Sequence, residues 1–135
     1  MKKRLEKVAW FPVPEMGFDL CIRYISISEG QKMRERALTV RRNLKTGQME
    51  EHLDEELYAR EMAAIIVDWR GLTRDAYQRL IAIDPADYPE EIPCTLEYKL
   101  ELLQEARGFA TVVLDLCSDL ARYQTQKLAD EVKNS

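Results

Sequence analysis

The sequence predicts an α+β fold, mainly α, in which an N-terminal β-hairpin packs against four or five helices. Three patterns predict it. Residues 18–27 alternate apolar and polar side chains at the two-residue period of a strand, directly after the turn-forming segment Pro12-Val13-Pro14-Glu15-Met16-Gly17. From Met33 onward the apolar residues recur at helical spacing. Thr95 and Phe109 then open two further helical patterns.

The elements follow in order. Residues 4–12 mix charge and bulk as a strand does, and Pro12 and Pro14 stop it. In residues 18–27, Phe18, Leu20, Ile22 and Tyr24 fall on one face and Asp19, Cys21 and Arg23 on the other. Two such strands make an antiparallel hairpin, which is marginal alone and needs a helix or another sheet to pack on. Ser28 is a helix cap with Glu29 favourable in the first turn, and Met33, Ala37, Val40 and Leu44 give the stripe of a helix that Gly47 ends. A second long helix is expected over residues 53–70, with Tyr58, Met62, Ile65, Ile66 and Trp69 as its stripe and Gly71 as its stop. Residues 73–83 read as a short helix. Three prolines make residues 84–93 a loop. Thr95 caps a helix whose buried stripe is Leu96, Leu100 and Leu103, and Arg107-Gly108 breaks it. Phe109, Val112, Val113, Leu116, Leu120 and Tyr123 mark a last helix that runs to Lys127 or beyond, and residues 130–135 read as a frayed polar end.

Composition bounds the class. The 135 residues suit a single domain, with the hairpin at about 4–27 and the helical part at about 28–130. With 46% apolar and 33% charged residues, the chain reads as folded and soluble rather than disordered. The longest uncharged apolar run, Met62 to Val67, is too short to span a bilayer, so no membrane association is expected. Met1-Lys2-Lys3-Arg4 is followed by Leu5-Glu6-Lys7 and not by the apolar core of a signal peptide, which points to the cytoplasm. Cys21, Cys94 and Cys117 are widely spaced and odd in number, as reduced thiols of a cytosolic protein would be.

The chemistry-bearing motifs are missing. There is no paired-ligand spacing for zinc, no glycine-rich phosphate loop and no nucleophile elbow. The single His52 sits in an acidic stretch and reads as a surface residue. The acid pairs Glu55/Glu56, Glu90/Glu91 and Asp115/Asp119 read as solvated helix or loop surface, since a general acid needs a dry pocket to raise its pKa. No catalytic residue, cofactor or metal is therefore expected, and no particular protein-binding residue is identified. A basic face made by Lys32, Arg34, Arg36, Arg41, Arg42 and Lys45 offers an alternative, a small nucleic-acid-binding protein. A net charge of −4 and the acids that follow (Glu50, Glu51, Asp54, Glu55, Glu56) favour a solvated, partly paired face instead. Trp69 reads as core, with an anchoring role at an interface as the other possibility.

The order of these motifs resembles a known family. An N-terminal hairpin, a helix with basic surface, the helix ending in Val67-Asp68-Trp69-Arg70-Gly71-Leu72, a polar loop, Pro93-Cys94-Thr95 opening a leucine-rich helix and Arg107-Gly108-Phe109 opening a final one look like the tail assembly chaperone-like proteins of long-tailed phages and prophages. The match covers most of residues 18–123 in short, degenerate motifs. It departs after the tryptophan, where the family has an Asp/Gly-rich turn and this chain has a helical pattern from Thr73 to Leu80 and a proline-rich loop. The resemblance implies a non-enzymatic protein in the cytoplasm of a bacterial host. It would bind tail proteins, the tape measure and the tail tube, during virion assembly, and could form a homo-oligomer.

Overall fold

The computed structural model describes residues 7–124. The expected strand residues 4–6 and the expected helix end and tail beyond residue 124 lie outside them. The chain runs β1 (Val8–Val13), β2 (Phe18–Arg23), α1 (Ile27–Arg36), β3 (Leu38–Arg42), β4 (Met49–Leu53), α2 (Glu55–Ala63), β5 (Ile66–Arg70), α3 (Arg74–Leu80), a 3-10 turn (Pro85–Asp87), α4 (Leu96–Glu105) and α5 (Phe109–Ser118). Helix resumes at residues 120–124 after a break at Asp119.

This architecture overturns the predicted class, a mainly helical domain with one hairpin. Five strands are present among the described residues, in a three-stranded antiparallel sheet ordered β1-β2-β5 and a separate two-stranded sheet β3-β4. The N-terminal hairpin is there, although Pro12 does not end its first strand: β1 is an edge strand and Pro12 pairs with Asp19.

Two of the predicted helices are half strand, for identifiable reasons. The first begins earlier than predicted, with Ser26 and not Ser28 as its cap: the Ser26 hydroxyl accepts the Glu29 N–H at 3.2 Å. It stops at Ala37, and Leu38-Thr39-Val40, two of them β-branched, go extended. Val40 and Leu44, expected to continue the buried stripe, are 60% and 95% exposed. The second helix, capped by the Asp54 carboxylate on the Leu57 N–H at 3.0 Å, ends at Ala63. The β-branched run Ile65-Ile66-Val67 then enters β5. A bulge lies here: Cys21 pairs with Asp68 but the next residue, Ile22, pairs with Ile66, which leaves Val67 as the extra residue. The bulge makes the apolar spacing of a strand look helical.

The later elements follow the predicted order. Thr73 and Thr95 cap α3 and α4. The buried residue of α4 is Leu102, whereas Leu96 is exposed and Leu100 and Leu103 are only partly covered, so the predicted stripe is rotated. Gly108 opens α5 from the left-handed region at φ 85°, a conformation that a side chain would strain.

The core lies on one face of the β1-β2-β5 sheet. Leu20 and Ile22 of the central strand are fully buried, together with Ile65, Phe109, Val113, Leu102 and Cys117. Trp69 is buried as expected for a core residue, but on a strand. Its indole N–H donates to the Ile92 carbonyl at 2.8 Å and its ring meets Phe18 edge-on at 6.1 Å. The opposite face of the sheet carries Asp19, Cys21 and Arg23, of which Cys21 is also buried. There Arg70 lies 4.3 Å over the Trp10 ring and bonds Asp19 at 3.0 Å.

Replacing Trp69 separates its two contributions. Trp69→Ala should lower the unfolding free energy by about 3–5 kcal/mol through the cavity it leaves. Trp69→Phe keeps most of the packing but orphans the Ile92 carbonyl, and should cost about 1–3 kcal/mol. Urea denaturation followed by circular dichroism measures both.

Candidate functional site

The chemistry-bearing residues singled out from the sequence are dispersed. His52 is an exposed residue of β4 whose Nε2 lies 3.5 Å from the Glu50 carboxylate. Glu55 and Glu56 sit in the first turn of α2, where they meet the positive end of the helix dipole. Asp115 and Asp119 both bind Arg122, at 2.9 and 3.2 Å, and so brace the break in the last helix. No group of three or more His, Cys, Asp or Glu residues able to hold a metal ion occurs among the described residues.

The thiols are shielded. Cys21 and Cys117 are buried and Cys94 is half-buried. Burial pushes Cys94 and Cys117 up from 9.0 to about 11, and raises Cys21 as well. All three are protonated near neutral pH, the weakly nucleophilic state.

Among the described residues, a part-buried polar cluster forms around the buried Tyr77, and sequence reasoning missed it. The Tyr77 hydroxyl donates to the Glu101 carboxylate at 2.5 Å, and the Tyr88 hydroxyl donates to both of its oxygens at 2.9 and 3.1 Å. Burial first, and then the bond to Glu101, push the Tyr77 hydroxyl far above its ordinary value. The Tyr77, Tyr88 and Tyr98 rings lie 5.5–5.9 Å apart. This cluster ties the proline loop to α3 and α4. Protonated phenols around a carboxylate make a clamp, not a proton relay.

The basic run does not form one helix face. Lys32, Arg34 and Arg36 are on α1, Arg41 and Arg42 are on β3, and Lys45 is in the turn. Arg36 is committed to Glu61 by two bonds of 2.6 and 3.0 Å, and Arg41 lies opposite Glu50 in the hairpin.

Two surfaces with exposed apolar side chains stand out among the described residues. The first is a groove of about 390 Å³ between α1, α2 and α5. Tyr24, Ile27, Tyr58, Leu114 and Cys117 line it and Arg34 supplies charge at its rim. Ile27, in the first turn of α1, is 83% exposed. The Ile25 N–H bonds the Cys117 carbonyl at 2.9 Å and holds two walls together. The second is the β3-β4 hairpin, in which no residue from 38 to 53 is buried. No described helix is long and apolar enough to cross a membrane. No family model matches this chain, and no curated protein or solved structure shows significant similarity to it.

Two outcomes follow from the buried groups. Glu101→Ala leaves the Tyr77 hydroxyl without its acceptor and should cost roughly 1–3 kcal/mol in urea denaturation. Folding raises the Cys94 and Cys117 pKa values from 9.0 to about 11, so their stabilising effect is complete below pH 9 and is lost as pH rises from 9 to about 11. At pH 8 a thiol reagent should label these two cysteines at least about tenfold more slowly in the native chain than in urea, read by mass spectrometry.

Proposed function

We propose that this protein acts by holding another polypeptide and makes or breaks no bond, and that it serves as a tail assembly chaperone-like protein of a long-tailed phage or prophage. Its clients would be the tape measure and tail-tube proteins, met in the cytoplasm of the bacterial host. The groove between α1, α2 and α5 carries this reading: it is open, mostly apolar, walled by helices and edged by Arg34. A tape measure is a long helix-rich chain with apolar stripes, and a helix lays such a stripe into a groove of this kind. An acidic residue beside the stripe would meet Arg34. The motif order from the Trp69 step to Phe109 supports the more specific identity, and the shielded thiols support a role without a nucleophile.

Co-expression with a tape-measure protein of the same genome tests this reading. The soluble fraction of the client should rise with this chain present, and Ile27→Asp or Arg34→Glu should each remove most of the gain while leaving the fold intact. A client equally insoluble with and without the chain defeats the reading.

A further inference from the structure

The β3-β4 hairpin has the features of a strand-pairing arm. Directly opposed residues of an antiparallel pair share a face. The register therefore places Leu38, Val40, Arg42, Met49, Glu51 and Leu53 on one face. Val40 and Met49 are 60% and 62% exposed there, with Leu44 at the tip. The two ends of the hairpin are closed by bonds of 2.8 Å, Asp54 N–H to the Ala37 carbonyl and Asn43 N–H to the Gln48 carbonyl. By antiparallel alternation, the backbone groups of Val40 and Arg42 on β3, and of Glu51 and Leu53 on β4, point away from the partner strand. Neither strand contains a proline, and each is an edge of a sheet of only two strands. Such a pair is marginal alone, and a third strand would stabilise it.

The two edges carry opposite charge: Arg41 and Arg42 on β3, Glu50 and Glu51 on β4. Pairing β3 with β3, or β4 with β4, sets like charges near one another. Pairing β3 with β4 of a second copy does not. In the internal register Val40 faces Glu51 and Arg42 faces Met49. Shifted by two residues, a second copy's β4 would set its Glu51 against Arg42, its Leu53 against Val40 and its Met49 against Leu44. The outward backbone groups of Val40 and Arg42 then meet those of Leu53 and Glu51. Charge, apolar contact and hydrogen-bond phase agree in that register.

We propose that the hairpin joins copies of this chain head to tail, β3 of one adding antiparallel to β4 of the next with Arg42 facing Glu51. The joint is heterologous, so it grows into a chain or closes into a ring and does not stop at a two-fold dimer. It needs no client and stands apart from the groove.

Sedimentation velocity of the purified full-length protein over a range of concentrations tests it. The average mass should climb with concentration without levelling off at a dimer. Arg42→Glu and Glu51→Arg should each weaken association roughly tenfold. An equimolar mixture of these two variants should recover it. The new carboxylate of one then faces the new guanidinium of the other, and the unchanged Glu51 and Arg42 meet in the alternate joints. The double variant Arg42→Glu/Glu51→Arg, which re-forms the pair within one sequence, should associate like the parent. A monomer at every concentration, a mass that levels off at a dimer, or failure of both the mixture and the double variant to recover association overturns the proposal.

Discussion

The structure depends on β2 being paired on both edges. Its neighbour β1 is close in sequence, but β5 arrives only after two helices and a whole second hairpin have been made. Closing that long loop costs conformational entropy that the pairing must offset. The offset comes from burial: Leu20 and Ile22 lose all their exposure only when Ile66 and Trp69 lie alongside and α5 covers them. Trp69 fastens the far edge of the sheet. Its indole N–H holds the Ile92 carbonyl, and the Ile92 N–H bonds the Leu72 carbonyl at 2.9 Å, so the proline loop closes over β5 and blunts that edge. The β1 edge is blunted differently, by Pro12. The hairpin β3-β4 has neither device.

How much of this was legible in the sequence depends on the range of the cause. Local causes were legible. The hairpin over residues 8–23, the Thr95 cap, the break at Arg107-Gly108 and the burial of Trp69 all follow from side chains within a few residues of the feature. The strands β3 and β5 were not legible, because each follows a short helix without a glycine or proline between. Met33, Ala37, Val40 and Leu44 keep helical spacing by coincidence, and the bulge at Val67 gives β5 the apolar rhythm of a helix. The signal that distinguishes them was present: β-branched residues cluster where the helices stop. The Tyr77–Glu101–Tyr88 clamp was out of reach, since nothing in the sequence says that residues 13 and 24 apart share one carboxylate. The groove was equally hidden, because its walls come from three separate helices.

The charge pattern shows the same division. The run of cations at residues 32–45 and the acids that follow look like two blocks on the page. Folding turns them back on each other, with Arg41 opposite Glu50 and Asn43 donating to Glu50 at 2.8 Å. Exposed pairs of this kind add little stability. They do not fix the register by themselves, since the same register sets Val40 opposite Glu51 and Arg42 opposite Met49.

The groove and the hairpin are distinct surfaces carried by the same two helices, α1 and α2. Helix α1 begins at the groove with Ile27 and ends at the foot of β3, and α2 returns from the foot of β4 to place Tyr58 in the groove wall. The paired bonds from Arg36 to Glu61 cross between the two helices next to the hairpin base. Planar, two-pronged contacts of this sort constrain angle as well as distance. That contact links the two helices that wall the groove and flank the hairpin. Copies joined through their hairpins would present their grooves at a regular interval. A repetitive apolar helix would then meet many weak sites in series, and the avidity of such an array exceeds the affinity of any single groove.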